Sequence, residues 1–157
     1  MDAIQPGGDP QVGNLATPIN SSAFTKSFIN KLPAYRPGLT PDKRGLEVGM
    51  AHGYFIYGPF ALLGPLRDSS IGNVAGLLAT VGLMAIMTVC LSIYAKAESG
   101  QPIATLTTPN PPQELATTKG WIDFAKGFFI GSSGGALFAF AICLTPFDEL
   151  MLGLLGF

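Results

Sequence analysis

The chain has one histidine, one tryptophan, two cysteines and few charges: 12% of its 157 residues are charged, and the formal net charge is −1. Each shortage closes a class of function. A single histidine rules out a bis-histidine haem or a histidine-cluster metal centre built within the chain, and leaves open a tetrapyrrole that needs one axial ligand. A net charge near zero argues against nucleic acid as a partner. Cys90 and Cys143 lie in apolar runs, where small polarizable packing residues are ordinary, so they are expected to pack rather than pair. A membrane enzyme would need paired histidines, a nucleophile with its base or a carboxylate dyad, and the apolar regions offer only Glu47 and His52. The first twenty residues hold Asp2, Pro6, Gly7, Gly8, Asp9 and Pro10 where a basic start and an apolar run would mark a cleavable signal, so the first span is expected to act as the insertion signal.

What is plentiful is apolar surface and glycine. Hydrophobic residues make up 48% of the chain, glycines number 20, and the mean hydropathy is +0.40, the composition of a membrane protein. Charges divide the sequence into three long neutral blocks, 48–66, 69–95 and 127–147, each near the roughly 20 residues that a bilayer core requires. The expected fold is therefore an all-α integral membrane protein, one membrane domain over 1–157 with three transmembrane helices. The spans are placed at about 45–66, 71–95 and 124–145, after an N-terminal cytoplasmic arm (1–40) and before a short apolar C-terminal tail (146–157).

Local signals refine this outline. Thr40-Pro41 suits a helix start, Gly58-Pro59 should bend the first span, and Gly64-Pro65 should end it near Leu66. Thr117-Thr118 can cap the third helix, which passes an interfacial Trp121 and stops at Thr145-Pro146. In the arm, Phe24, Phe28 and Leu32 share one face of a short helix over 21–32, suited to a membrane surface or to a lid on neighbouring protein. The threonine- and proline-rich connection 97–118 should be an exposed, extended loop. Lys26, Lys31, Arg36, Lys43, Arg44, Lys96, Lys119 and Lys126 fall on one side of this layout and only Arg67 on the other, which puts the N-terminus in the cytoplasm.

Two features point to a site. Gly45, Gly49 and Gly53 recur every four residues in the first span, as do Gly127, Gly131 and Gly135 in the third, while the second offers Gly72, Gly76 and Thr80. Such strips admit either a close helix or a flat ligand; helix packing is favoured for the third span, and the first stays open. Glu47 and His52 sit within the first ladder, where ionisable groups are costly and usually functional. They are five residues apart, about 7.5 Å along the axis and roughly 140° round it, so they serve two sites and not one metal. His52 could bind a metal or hydrogen-bond a neighbouring helix, and Glu47 could ligate or be an interfacial carboxylate, favoured by the helix dipole or paired with Arg44.

The segments Leu32-Pro33-Ala34-Tyr35-Arg36, Arg44-Gly45-Leu46-Glu47-Val48-Gly49-Met50-Ala51-His52-Gly53-Tyr54-Phe55 and Gly64-Pro65-Leu66-Arg67-Asp68 give the chain its resemblance to the photosystem I reaction centre subunit XI family (PsaL), over nearly its whole length. The resemblance implies a non-catalytic subunit of the cyanobacterial thylakoid membrane, with a cytoplasmic N-terminus and a lumenal tail, touching the photosystem I core, its small membrane subunits and lipid. It implies antenna chlorophyll a and beta-carotene as cofactors, and contact with neighbouring copies that joins reaction centres into trimers. By the same resemblance Glu47 and His52 would each give an axial ligand to a chlorophyll magnesium, and Asp68 and the Pro65 carbonyl would give oxygens to a calcium ion. The tail 148–157, too short to cross again, should dock near the Asp68 turn. The rival reading is a small three-span assembly or transport subunit without pigment, which would need an ionisable path that the second and third spans lack.

Overall fold

The structure, a computed structural model, describes residues 4–8, 11, 13–97 and 100–145. Its long elements are helices: α1 Ala23–Lys31, α2 Pro41–Leu63, α3 Gly72–Lys96 and α4 Thr118–Cys143. The arm also carries a feature the all-α expectation did not contain, a two-residue antiparallel pair of β1 (Gln5–Pro6) and β2 (Leu15–Ala16) with Gln5 opposite Ala16. The expected tail lies outside the described residues.

Helix limits follow local chemistry. Ser22 Oγ accepts from Thr25 N at 3.1 Å to cap α1, and Thr117 Oγ1 accepts from Gly120 N at 3.0 Å to cap α4. Pro41 opens α2 where no backbone N–H is needed, although Thr40 makes no side-chain cap there. The first long helix ends at Leu63, before Gly64, rather than running on to Leu66; Pro59 stays within it. Two helices, α3 and α4, are long and apolar enough to cross a membrane. The 23-residue α2 matches them in length, about 34 Å, but Asp42, Lys43, Arg44 and Glu47 crowd its first two turns.

Glycine sets how the long helices meet. A Cβ on Gly45, Gly49 or Gly53 would fall 2.0, 2.2 or 1.8 Å from the carbonyl oxygens of Phe124, Phe128 and Ser132 on α4. The relation is reciprocal, since a Cβ on Gly127, Gly131 or Gly135 would fall 1.9, 2.0 or 2.1 Å from the carbonyl oxygens of Asp42, Leu46 and Met50 on α2. Successive contacts advance four residues on both helices, so α2 and α4 run parallel with their backbones in direct contact. The first ladder, open to a flat ligand in the sequence, is thus taken up by helix packing. α3 runs antiparallel to both: Gly76 lies against Ala61, and the Tyr94 and Trp121 rings meet edge to face at 4.9 Å. Met84, Leu115, Phe124 and Phe128 form one buried cluster, and Tyr57, Ala61 and Ala139 another.

The connection after α3 is exposed over most of its described residues, as expected, but three of them turn inward. Thr108, Pro111 and Leu115 are buried, and a 3-10 turn, Gln113–Ala116, leads into α4. Its prolines disfavour a longer helix, yet it is tied to the arm, where Asn30 Nδ2 donates to Thr107 O at 2.7 Å and Thr107 Oγ1 donates to Asn20 O at 3.0 Å.

Candidate functional site

On α2 the carbonyl of Val48, one turn before His52, decides the state of the imidazole. His52 Nδ1 lies 2.8 Å from Val48 O, and a carbonyl oxygen can only accept, so Nδ1 carries the hydrogen. In the neutral ring Nε2 then holds the lone pair, the arrangement of a histidine ready to ligate a metal. The ring is also held by an edge contact to Phe128, with centroids 5.5 Å apart, and His52 is otherwise exposed, as is Phe55. The hydrogen bond of His52 goes to its own helix and not to a neighbouring one, and among the described residues Nε2 has no partner.

Glu47 lies on another side of α2. Its Oε1 takes an ion pair from Arg36 of the segment before the helix, rather than from Arg44, the candidate partner named from the sequence. Oε2 has no partner among the described residues, so one carboxylate oxygen remains available. Arg44 is instead sunk between elements, 2% exposed, and spreads its guanidinium over Pro33 O at 2.7 Å, Arg36 O at 3.1 Å, Leu39 O at 3.4 Å and Glu114 Oε1 at 2.7 Å. It thereby ties the pre-helix segment, α2 and the turn before α4 together, and its charge is matched by Glu114. The pairings of Arg36 with Glu47 and of Arg44 with Glu114 are what sequence reasoning missed, and no local periodicity marks partners 11 and 70 residues apart.

Pro65 and Asp68 occupy the exposed turn between α2 and α3. Asp68 pairs with Arg67 at 3.4 Å with its side chain 84% exposed, and among the described residues no donor reaches the Pro65 carbonyl. Oxygens are free there, but among the described residues no cluster of three or more metal-ligating side chains forms. Two donors fall well short of the six to eight oxygens calcium prefers. The structure therefore brings Pro65 and Asp68 to one turn and keeps Glu47 and His52 apart from it and from each other.

At the start of α4, Asp123 lies between Lys119 and Lys126, the latter at 3.1 Å. In α3, Thr80, Thr88 and Ser92 donate to the carbonyls one turn back at 2.8, 2.8 and 2.9 Å, so these hydroxyls are satisfied within the helix and form no polar path.

Residues 3–147 match the family described as Photosystem I reaction centre subunit XI, PsaL. The chain is similar to proteins named Photosystem I reaction center subunit XI from Crocosphaera subtropica (56% identity, covering 99% of this chain and 100% of the relative) and Synechococcus elongatus (60%, covering 95% and 91%). A third, from Picosynechococcus, is 65% identical over 92% of this chain and 95% of its own length.

Proposed function

The chain belongs to the photosystem I reaction centre subunit XI family, and on that basis we propose that it holds antenna pigment at the edge of the reaction centre and joins reaction centres to one another. It is a structural photosystem I subunit of the photosynthetic membrane, not an enzyme. All three long helices span the bilayer: α3 and α4 are apolar enough by themselves, and α2 runs parallel to α4 in backbone contact from Gly45 to Gly53, which carries it to the same depth. The basic residues then place the N-terminus on the cytoplasmic side of the thylakoid membrane and the Asp68 turn on the lumenal side.

His52 Nε2 is the axial donor for one chlorophyll a, and the fixed Nδ1–H is the observation that carries this reading. Glu47 holds a second chlorophyll through the carboxylate oxygen that Arg36 leaves free, a hard donor suited to magnesium, with Arg36 balancing its charge. Bound chlorophyll supplies light absorption and excitation transfer; the chain supplies the fifth ligand, the orientation and the exclusion of water. Rigid α2–α4 packing serves that role, because a ligand on a helix locked by backbone contact keeps its distance to other pigments. Beta-carotene and lipid cover the exposed apolar faces, Phe55, Leu62 and Leu63 among them. Asp68 and the Pro65 carbonyl give two oxygens of a calcium site that neighbouring copies or water complete, beside the contact that forms the homotrimer.

Replacing His52 by Leu tests the pigment claim. The expected result is a complex that keeps this subunit and loses about one chlorophyll per copy, because leucine suits lipid but has no donor. An unchanged pigment count with the subunit in place would refute it.

A further inference from the structure

The guanidinium of Arg36 reaches Glu47 from a backbone that is itself held at two points. Its N–H donates to Leu32 O at 2.8 Å, and its carbonyl accepts from Arg44 Nη1 at 3.1 Å. Arg44 is 2% exposed and paired with Glu114 at 2.7 Å, so the anchor under Arg36 is part of the buried frame. The Arg36–Glu47 pair is only half-buried, with side chains 40% and 33% exposed. Ion pairs so open to their surroundings contribute little to folding stability. A contact the fold barely needs, made from an anchored backbone onto a carboxylate with one oxygen unpartnered, serves to orient that carboxylate.

We propose that Arg36 is the positioning residue of the Glu47 pigment site: it holds one carboxylate oxygen so that the other is presented to a chlorophyll magnesium. The inference rests on the reading of Glu47 as an axial ligand given above. A glutamate on its own has several rotatable bonds and a broad terminal torsion, so ligation would have to freeze it. Arg36 does this in advance, as Val48 O does for the His52 ring through Nδ1. Its positive charge also offsets that of a carboxylate set among apolar surroundings, where a lone anion is costly. Groups that hydrogen-bond a metal ligand change metal affinity by about 10–100-fold, enough to empty a site that is otherwise filled.

The test uses intact complex purified from membranes, with Arg36→Met, Arg36→Lys, Glu47→Leu and the parent compared by chlorophyll count per copy of the subunit and by low-temperature absorption difference spectra. Arg36→Met keeps an apolar stem and removes the charge and the donors. It should lose about one chlorophyll per copy and the same absorption band as Glu47→Leu. Arg36→Lys, which keeps a charged donor, should restore most of that band. A pigment retained with an unchanged spectrum in Arg36→Met, or lost from Arg36→Lys as fully as from Arg36→Met, would overturn the proposal. Should Arg36→Met fail to accumulate, a side-chain-resolution map of the parent decides: magnesium on one Glu47 oxygen and Arg36 on the other supports the proposal, and an Arg36 turned away from Glu47 refutes it. Loss of a chlorophyll from Glu47→Leu but not from Arg36→Met sinks this inference alone, whereas no loss from Glu47→Leu removes the ligand reading and this inference with it.

Discussion

Gly53→Ala adds one methyl group at a point where the structure has no room for it. The new Cβ would lie 1.8 Å from Ser132 O, 2.7 Å from Ser132 C and 2.9 Å from Ala136 N, all backbone atoms that cannot rotate away. Ordinary contact begins near 3.4 Å, so α2 and α4 must part locally by about 1.6 Å. That separation loosens the neighbouring close contact at Gly49, whose own carbonyl partner is Phe128. Overpacking of this kind costs about 1–3 kcal/mol. Alanine's better helix propensity returns at most about 1 kcal/mol, leaving a net loss. Gly134→Ala is the matched control, on α4 but with nothing within 4 Å of its Cβ position, so it should be neutral or slightly stabilising. Denaturant titration of the detergent-solubilised subunit, or heat retention of the subunit within the complex, measures both. Equal stability of the Gly53 and Gly134 variants would refute direct backbone packing of α2 on α4.

Arg44→Ala should cost about 3–5 kcal/mol, because it strands Glu114 and the carbonyls of Pro33, Arg36 and Leu39, and the subunit should fail to accumulate; normal levels would contradict the tie. Deletion of residues 150–157 should turn trimers into monomers with light-driven electron transfer unaltered, read by native electrophoresis and flash kinetics; trimers that survive the truncation would dispose of the tail's role.

Much of the long-range frame was legible because membrane helices write their constraints locally. α3 could be read from an uncharged, proline-free run, the start of α4 from Thr117, and the third span's ladder from glycine spacing alone. Pairings across the fold were not legible. The same ladder in the first span fits a flat ligand or a helix equally well, and only the facing carbonyls of Phe124, Phe128 and Ser132 decide between them. In the sequence Arg44 is one candidate partner for Glu47, but it is buried and meets Glu114, while Arg36 comes back from the preceding segment. Proline and threonine in the 97–118 connection forecast irregular backbone and exposure for most of it, but not the burial of Thr108, Pro111 and Leu115, which depends on what these residues meet in the arm and helices. The free nitrogen of His52 needed coordinates, because it depends on which ring atom reaches Val48 O.

The most direct test of the account is a side-chain-resolution map of the intact complex around His52. The account predicts a chlorophyll magnesium at coordination distance from Nε2, about 2.1 Å, with Nδ1 still donating to Val48 O. An imidazole whose Nε2 donates to another group, or faces lipid with no macrocycle beside it, would contradict the account.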